Sequence, residues 1–255
     1  MRTRWLATLI LPSLAFAQAP STVKPPDLSG VWSVKGSPAT RYLSWSFSKD
    51  EPPMTPWAEE RFKLTKPSFG PRAVEDSNDP VNPTTLSAVG CFPPGMPRLY
   101  LQPFPLEIIQ TPGRVIMLFE FSHFVRQIYT DGRKHNTDLG PTWLGDAIGH
   151  WDGDTLVVDT IGFNDRTFVD SYRTPHTDKL HVVERFRLID GGNTLEVAFT
   201  VEDPGAFYQP WSGTRNRHRV ANPNNRLTET ACAEANDDYY NIGLEPVPTA
   251  EKTDF

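Results

Sequence analysis

Residues 148–164 read I-G-H-W-D-G-D-T-L-V-V-D-T-I-G-F-N, with a turn signal set between two strand-like stretches. Asp-Gly suits the tight hairpin turns that need positive φ, so Asp152-Gly153-Asp154 predicts a β-hairpin. Side chains alternate along a strand. Thr155, Val157, Asp159 and Ile161 therefore share one face, and Leu156, Val158 and Thr160 share the other. His150 and Trp151 precede the turn and point to opposite faces. A chain built around such a unit belongs to a sheet, and the remaining runs repeat the pattern.

Residues 27–34 (D-L-S-G-V-W-S-V) predict a first strand and residues 42–47 (Y-L-S-W-S-F) a second. Residues 106–111 and 115–130 flank Pro112-Gly113, a type II-like turn. Residues 180–189 and 194–202 flank D-G-G-N, and Pro204 ends that hairpin. Residues 214–220 form a last, polar strand suited to an exposed edge. The helix predicted over 55–66 has Thr55 as cap, Pro56 at its first position and Pro67 as its stop. Trp57, Phe62 and Leu64 would give it an apolar face. Residues 67–98 are rich in proline and carry little periodicity. The expected fold is all-β, an antiparallel lipocalin-like β-barrel with one short helix and long Pro-rich loops.

The N-terminus has the form of a secretory signal. Arg2 and Arg4 precede an apolar core, and Ala15-Phe16-Ala17 ends in the small-x-small cleavage pattern. The domain plan is therefore a signal peptide at 1–17, a Pro-rich leader at 18–26, one barrel at 27–245 and a flexible tail at 246–255. The protein is expected to be secreted or periplasmic, with no membrane association after cleavage. The formal charge of −6 becomes more negative once both arginines leave, which argues against a nucleic-acid partner. In an oxidising compartment the two cysteines, Cys91 and Cys232, read most economically as one disulfide.

No G-x-S-x-G, H-E-x-x-H, phosphate loop or G-x-G-x-x-G is present, so any site is assembled from residues scattered over strands. Glu184 shares its face with Leu180, Val182, Phe186 and Leu188. A carboxylate in an apolar stripe must pair, change protonation state or face a wet cavity. Arg126, Arg133 and Arg217 are the partners considered. His123 lies among Met117, Phe119, Phe121 and Val125, with Glu120 on the opposite face. His150 is placed to lie across from Asp159, as an oriented imidazole for proton transfer. Arg133, in Asp131-Gly132-Arg133, either clamps a substrate carboxylate or supports its turn. His176 and His181, with Asp178 between them, can join His135 or His150 as metal ligands, although their spacing matches no ligand motif.

Several pieces together resemble a family of exported bacterial proteins without an assigned activity. They are C-F-P-P-G-M-P-R (91–98), R-Q-I-Y-T-D-G-R (126–133), G-H-W-D-G-D-T-L-V-V-D-T (149–160), V-E-R-F (183–186), V-E-D-P-G-A-F-Y-Q-P-W (201–211) and A-C-A-E-A-N-D-D-Y-Y-N-I (231–242). Cys232-Ala233-Glu234-Ala235-Asn236 departs from the C-H-E-G-N or C-x-E-N-N of those relatives. Separately, D-L-S-G-V-W is similar to the G-x-W opening of lipocalin-type barrels.

These readings converge on a cofactor-independent enzyme that applies acid–base chemistry to a small hydrophobic or aromatic molecule in a barrel pocket. A lyase, an isomerase or cyclase, and a hydrolase all fit. His150 and Glu184 are the proton-transfer candidates, Asp159 the orienting group and Arg126 the electrostatic stabiliser. Glu120, His123, Trp151, Arg133 and His176 are candidates for holding substrate. The alternatives are a non-catalytic carrier of an apolar ligand and a metal-dependent enzyme with histidine ligands.

Overall fold

The computed structural model describes residues 24–34, 45–65, 93–221 and 226–230. Residues 1–17, read above as a signal peptide, most of residues 18–26, Cys91, Cys232 and residues 246–255 lie outside them. Nine strands close into a barrel in sequence order, β1 to β9. They are β1 (Gly30–Ser33), β2 (Leu106–Thr111), β3 (Arg114–Phe119), β4 (Val125–Tyr129) and β5 (Asp146–Asp152), then β6 (Thr155–Ile161), β7 (His181–Ile189), β8 (Thr194–Glu202) and β9 (Trp211–Arg219). The all-β, lipocalin-like reading holds. Every neighbouring pair is antiparallel except β4 and β5, which run parallel. Residues 130–145 therefore run back along the barrel before β5 begins, and most of their side chains are exposed.

The central hairpin forms as its sequence requires, with Gly153 at φ +62° in the turn. The second β6 face, Leu156, Val158 and Thr160, points into the barrel, where Val182, Glu184 and Phe186 of β7 also lie. Two expectations change. Residues 115–130 are two strands, because the chain turns back at 120–124, with Ser122 and His123 at positive φ and the Phe119 N–H donating to the Phe124 carbonyl. Residues 214–220 are no exposed edge: the strand begins at Trp211, pairs along β8 and meets β1 at Trp32 and Ser33, which closes the barrel. Burying both backbone edges removes the pairing hazard of an open sheet.

The helix α1 (Pro56–Thr65) starts as predicted, with Thr55 Oγ1 accepting from the Ala58 N–H. Its buried residues are Ala58 and Phe62, while Trp57 and Leu64 are 38% and 57% exposed. The i,i+4 pair packs, and the expected i,i+7 face looks outward. Residues 45–47 form no strand, although the Phe47 carbonyl accepts from the Thr214 N–H beside β9. Within the barrel, a short turn (Arg98–Leu101) is fully buried, and the Tyr100 ring packs 5.5 Å from Phe119 and Phe199 and 6.0 Å from Phe186.

Candidate functional site

Arg126 of β4 and Glu184 of β7 meet inside the barrel. The Arg126 Nη1 donates to Glu184 Oε1 at 2.8 Å and to the Tyr100 hydroxyl at 2.8 Å, while Nη2 donates to Glu184 Oε2 and to Thr160 Oγ1. The Tyr100 hydroxyl in turn donates to Met117 Sδ at 3.1 Å. Burial works against the charge on Arg126, but the Glu184 carboxylate outweighs it and raises the guanidinium above its ordinary range. Burial first, then Glu184, pushes the Tyr100 phenol up as well. Both carboxylate oxygens are engaged by one fork of donors, a bidentate arrangement that satisfies a buried acid without solvent.

The other strand candidates do not join this pair. His150 is exposed on the outward face of β5 and lies opposite Val157; the residue opposite Asp159 is Ile148. Trp151 points the other way and lines a cavity of about 500 Å³ at the turn end, with Pro25, Gln110 and Thr130. Glu120 is buried at the 120–124 turn and accepts from the Thr228 N–H at 2.9 Å. His123 is exposed and neighbours the Thr228 carbonyl. Arg133 lies over the Tyr129 ring at 3.7 Å and pairs with Asp131, the turn-supporting alternative.

Asp159 gathers a different set on the outside of the barrel. His135 reaches Asp146 through Nδ1 at 3.0 Å and Asp159 through Nε2 at 3.3 Å. His181 reaches the same Asp159 oxygen through Nε2 at 3.0 Å and Glu202 through Nδ1 at 3.3 Å. Two imidazoles thus link three carboxylates and tie segment 130–145 to β5, β6, β7 and β8. No group of three or more His, Cys, Asp or Glu among the described residues is arranged to hold a metal ion.

A second enclosed set of polar groups lies in the loop between β6 and β7. The Asp170 carboxylate accepts from the Tyr172 and Thr174 N–H groups, and Val169 N–H donates to the Thr174 carbonyl, so the loop folds on itself. Short Asp-to-backbone bonds of this kind give a turn its shape. Asp203, after β8, accepts from Thr177 Oγ1 and from the Gly205 and Ala206 N–H groups, which fixes the far side. Between these anchors His176 is 2% exposed. Its Nδ1 lies 2.8 Å from the Thr177 carbonyl and its Nε2 lies 2.8 Å from Thr167 Oγ1. A carbonyl only accepts, so Nδ1 carries the proton, Nε2 is the acceptor, and the Thr167 hydroxyl donates to it. Burial holds this imidazole below the usual histidine range, which keeps it neutral.

Thr167 and His176 line a cavity of about 230 Å³ beneath α1, with Trp57, Leu64, Phe168 and Pro175 as apolar wall and Arg61 and Arg166 as cations. A second, more open cavity of about 560 Å³ adjoins it through Asp165 and Arg166 and adds Trp143, Asn164 and Asp178. The sequence marked His176 but missed Thr167 and the cavity. The usable signal was Pro-His-Thr just before a strand, with a carboxylate at Asp203 able to hold Thr177. No protein-family model matches the chain, and no curated protein is detectably similar to it in sequence.

Proposed function

We propose that the protein is an exported, cofactor-independent enzyme that applies acid–base chemistry to a small hydrophobic or aromatic molecule, with the cavity beneath α1 as its site. One observation supports this reading above the rest: a hydroxyl donates to a neutral imidazole whose other nitrogen is fixed by a carbonyl, in the wall of a cavity that carries both apolar and charged side chains. That is the relation between nucleophile, base and orienting group in nucleophilic catalysis. Among lyase, isomerase and hydrolase, it favours hydrolysis of an ester. Thr167 Oγ1 would bond to the acyl carbon as its proton passes to His176 Nε2, and the same proton would leave with the alcohol. Water would then release the acid by the reverse sequence. Arg61 or Arg166 would stabilise the developing oxyanion. Glu184, with both oxygens on Arg126, and His150, outside the cavity, have no part in this reading.

The test is hydrolysis of p-nitrophenyl and naphthyl esters by the full chain. His176→Gln is expected to lower kcat by about 10²-fold or more, the usual worth of a positioned base, and Thr167→Ala similarly. Thr167→Ser, which keeps the hydroxyl, is expected to retain turnover. Circular dichroism melts accompany each variant. Inert wild-type protein across both ester classes, or a His176→Gln variant that keeps the wild-type rate, would overturn the assignment.

A further inference from the structure

The second cavity, of about 560 Å³, falls within the usual size of small-ligand pockets and has no part in the chemistry described so far. Its wall is built by two stretches of chain. Thr142 pairs in parallel with Phe163: the Thr142 N–H donates to the Gly162 carbonyl at 2.9 Å and the Asn164 N–H to the Thr142 carbonyl at 2.8 Å. Gly145, at φ +72°, is required just beyond, because a Cβ there would come within 2.6 Å of the Thr160 side chain and 2.8 Å of the Ile161 carbonyl oxygen. His135, on Asp146 and Asp159, holds the start of the same segment. Pro141 and Trp143 are thereby fixed beside Asn164, Asp165 and Arg166, and Asp178 completes the wall.

The polar groups of this wall are uncommitted. Asn164 Oδ1 accepts from the Arg166 N–H at 3.0 Å, which leaves the Asn164 amide nitrogen to donate. The carboxylates of Asp165 and Asp178 and the guanidinium of Arg166 make no hydrogen bond or ion pair with other described residues. Two donor groups, two acceptor groups and an aromatic ring therefore border one space. An anion there would meet two carboxylates, and a cation would meet Arg166. Hydroxyl groups suit all four, because each has one proton to give and two lone pairs to fill. Trp143 adds a flat apolar surface, the partner for the C–H face of a sugar ring.

The order of the chain joins this space to the Thr167–His176 pair. Asn164, Asp165 and Arg166 lie on the polar cavity, and the next two residues, Thr167 and Phe168, lie on the cavity beneath α1. Asp165 and Arg166 belong to both walls. A molecule reaching across the boundary would lay an apolar group against Trp57, Leu64 and Phe168 and a polar group beside Trp143. The bond between the two groups would then fall at Thr167 and His176.

We propose that the cavity lined by Trp143, Asn164, Asp165, Arg166 and Asp178 binds a neutral sugar or related polyol, so that the ester cleaved at Thr167 joins an aromatic or aliphatic acyl group to a sugar hydroxyl. The identity of the ester rests on the ester-hydrolysis reading; the binding of the sugar does not. Cleavage returns the sugar hydroxyl with the proton carried by His176, and water, the only co-reactant, releases the acid.

Benzyl β-glucoside, which contains no ester, is the binding probe, titrated into the full chain by calorimetry. Benzyl alcohol lacks the sugar, while benzyltrimethylammonium and benzyl phosphate put a cation and an anion in its place. The glucoside is expected to bind saturably and at least about tenfold more tightly than each of the three, the gain from one hydrogen bond to a charged group. Asp178→Ala, at an exposed position, and Trp143→Ala should each weaken the glucoside by about fivefold or more. If Trp143→Ala does not fold, Asp178→Ala decides. In parallel, glucose benzoate and ethyl benzoate are compared as substrates. Their kcat/KM values are expected to favour the glucose ester by at least about tenfold, and Asp178→Ala should reduce that preference. Glucoside binding in a protein that hydrolyses no ester would uphold the sugar site and end the ester assignment. Glucoside binding no tighter than that of any counterpart, wild-type affinity in Asp178→Ala, or hydrolysis of both esters with equal kcat/KM would overturn the proposal.

Discussion

Arg126 and Glu184 show how a charge is accommodated in the interior of this barrel. Alternation along residues 180–188 placed Glu184 on an apolar stripe, and that placement alone required a partner. Arg126 was among the arginines named for it, and in the structure both residues are buried on inward positions of their strands. The rest of the network was not legible. Tyr100 reaches the pair from a buried turn that has no periodicity, and Thr160 looks like any other β-branched strand residue. The pair's energetics are asymmetric: removing one partner leaves an uncompensated charge, whereas removing both leaves only a packing problem. Arg126→Met is therefore expected to destabilise the protein by about 3–5 kcal/mol in urea unfolding. Adding Glu184→Leu to that variant should recover most of the loss, and a double variant as unstable as the single one would contradict the account.

At the level of elements, the hairpins with glycine-marked turns were read correctly, whereas residues 45–47 form no strand and the reversal at 120–124 was not foreseen. The run 115–130 looked continuous because Phe119, Phe121, His123 and Val125 keep period two, yet the chain reverses at Ser122 and His123. No glycine or proline marks that turn; it forms where the Phe121 ring packs against Phe104 at 5.4 Å. Trp57 and Leu64 misled in the opposite way, since the helix buries Ala58 and Phe62 and leaves the larger residues to wall a cavity. The loop between β6 and β7 could not be read from pattern, because Asp-to-backbone bonds shape it rather than periodicity. That loop carries a pH dependence. Buried His176 stays neutral, whereas in the unfolded chain it takes up a proton below its ordinary value of 6.5. The unfolded state then binds more protons, so stability falls as pH drops through that value, by at most about 1.4 kcal/mol per pH unit. His176→Gln should flatten this part of the curve relative to wild type. Parallel curves for the two proteins from about pH 7 to about pH 5 would show that His176 is not the group responsible.

Across the whole molecule, closure is uneven. β7 and β8 pair along their full nine residues, and β8 and β9 nearly so. β4 meets β5 only at Ile128 and Tyr129, and β1 meets β9 only at Trp32 and Ser33. These two short seams divide the barrel into a sheet of β1 to β4 and a sheet of β5 to β9. The buried polar groups lie across that division. Arg126 of β4 binds Glu184 of β7 and Thr160 of β6, Arg217 of β9 binds carbonyls of the segment leading into β2, and the Arg219 guanidinium sits 4.3 Å from the Trp32 ring. Side chains thus supply the connection where the ladder is thin. Such a barrel should open along its seams before it unfolds, because local opening follows the regions with fewest supporting interactions. In native-state hydrogen exchange the amides of β1 and of the β4–β5 junction are expected to exchange first, and those of β7 and β8 last. Arg126→Met should bring the seam amides forward by much more than it brings forward those of β7 and β8. If all nine strands instead exchanged together in both proteins, the barrel would be one cooperative unit, and the buried pair would stabilise its interior without joining two halves.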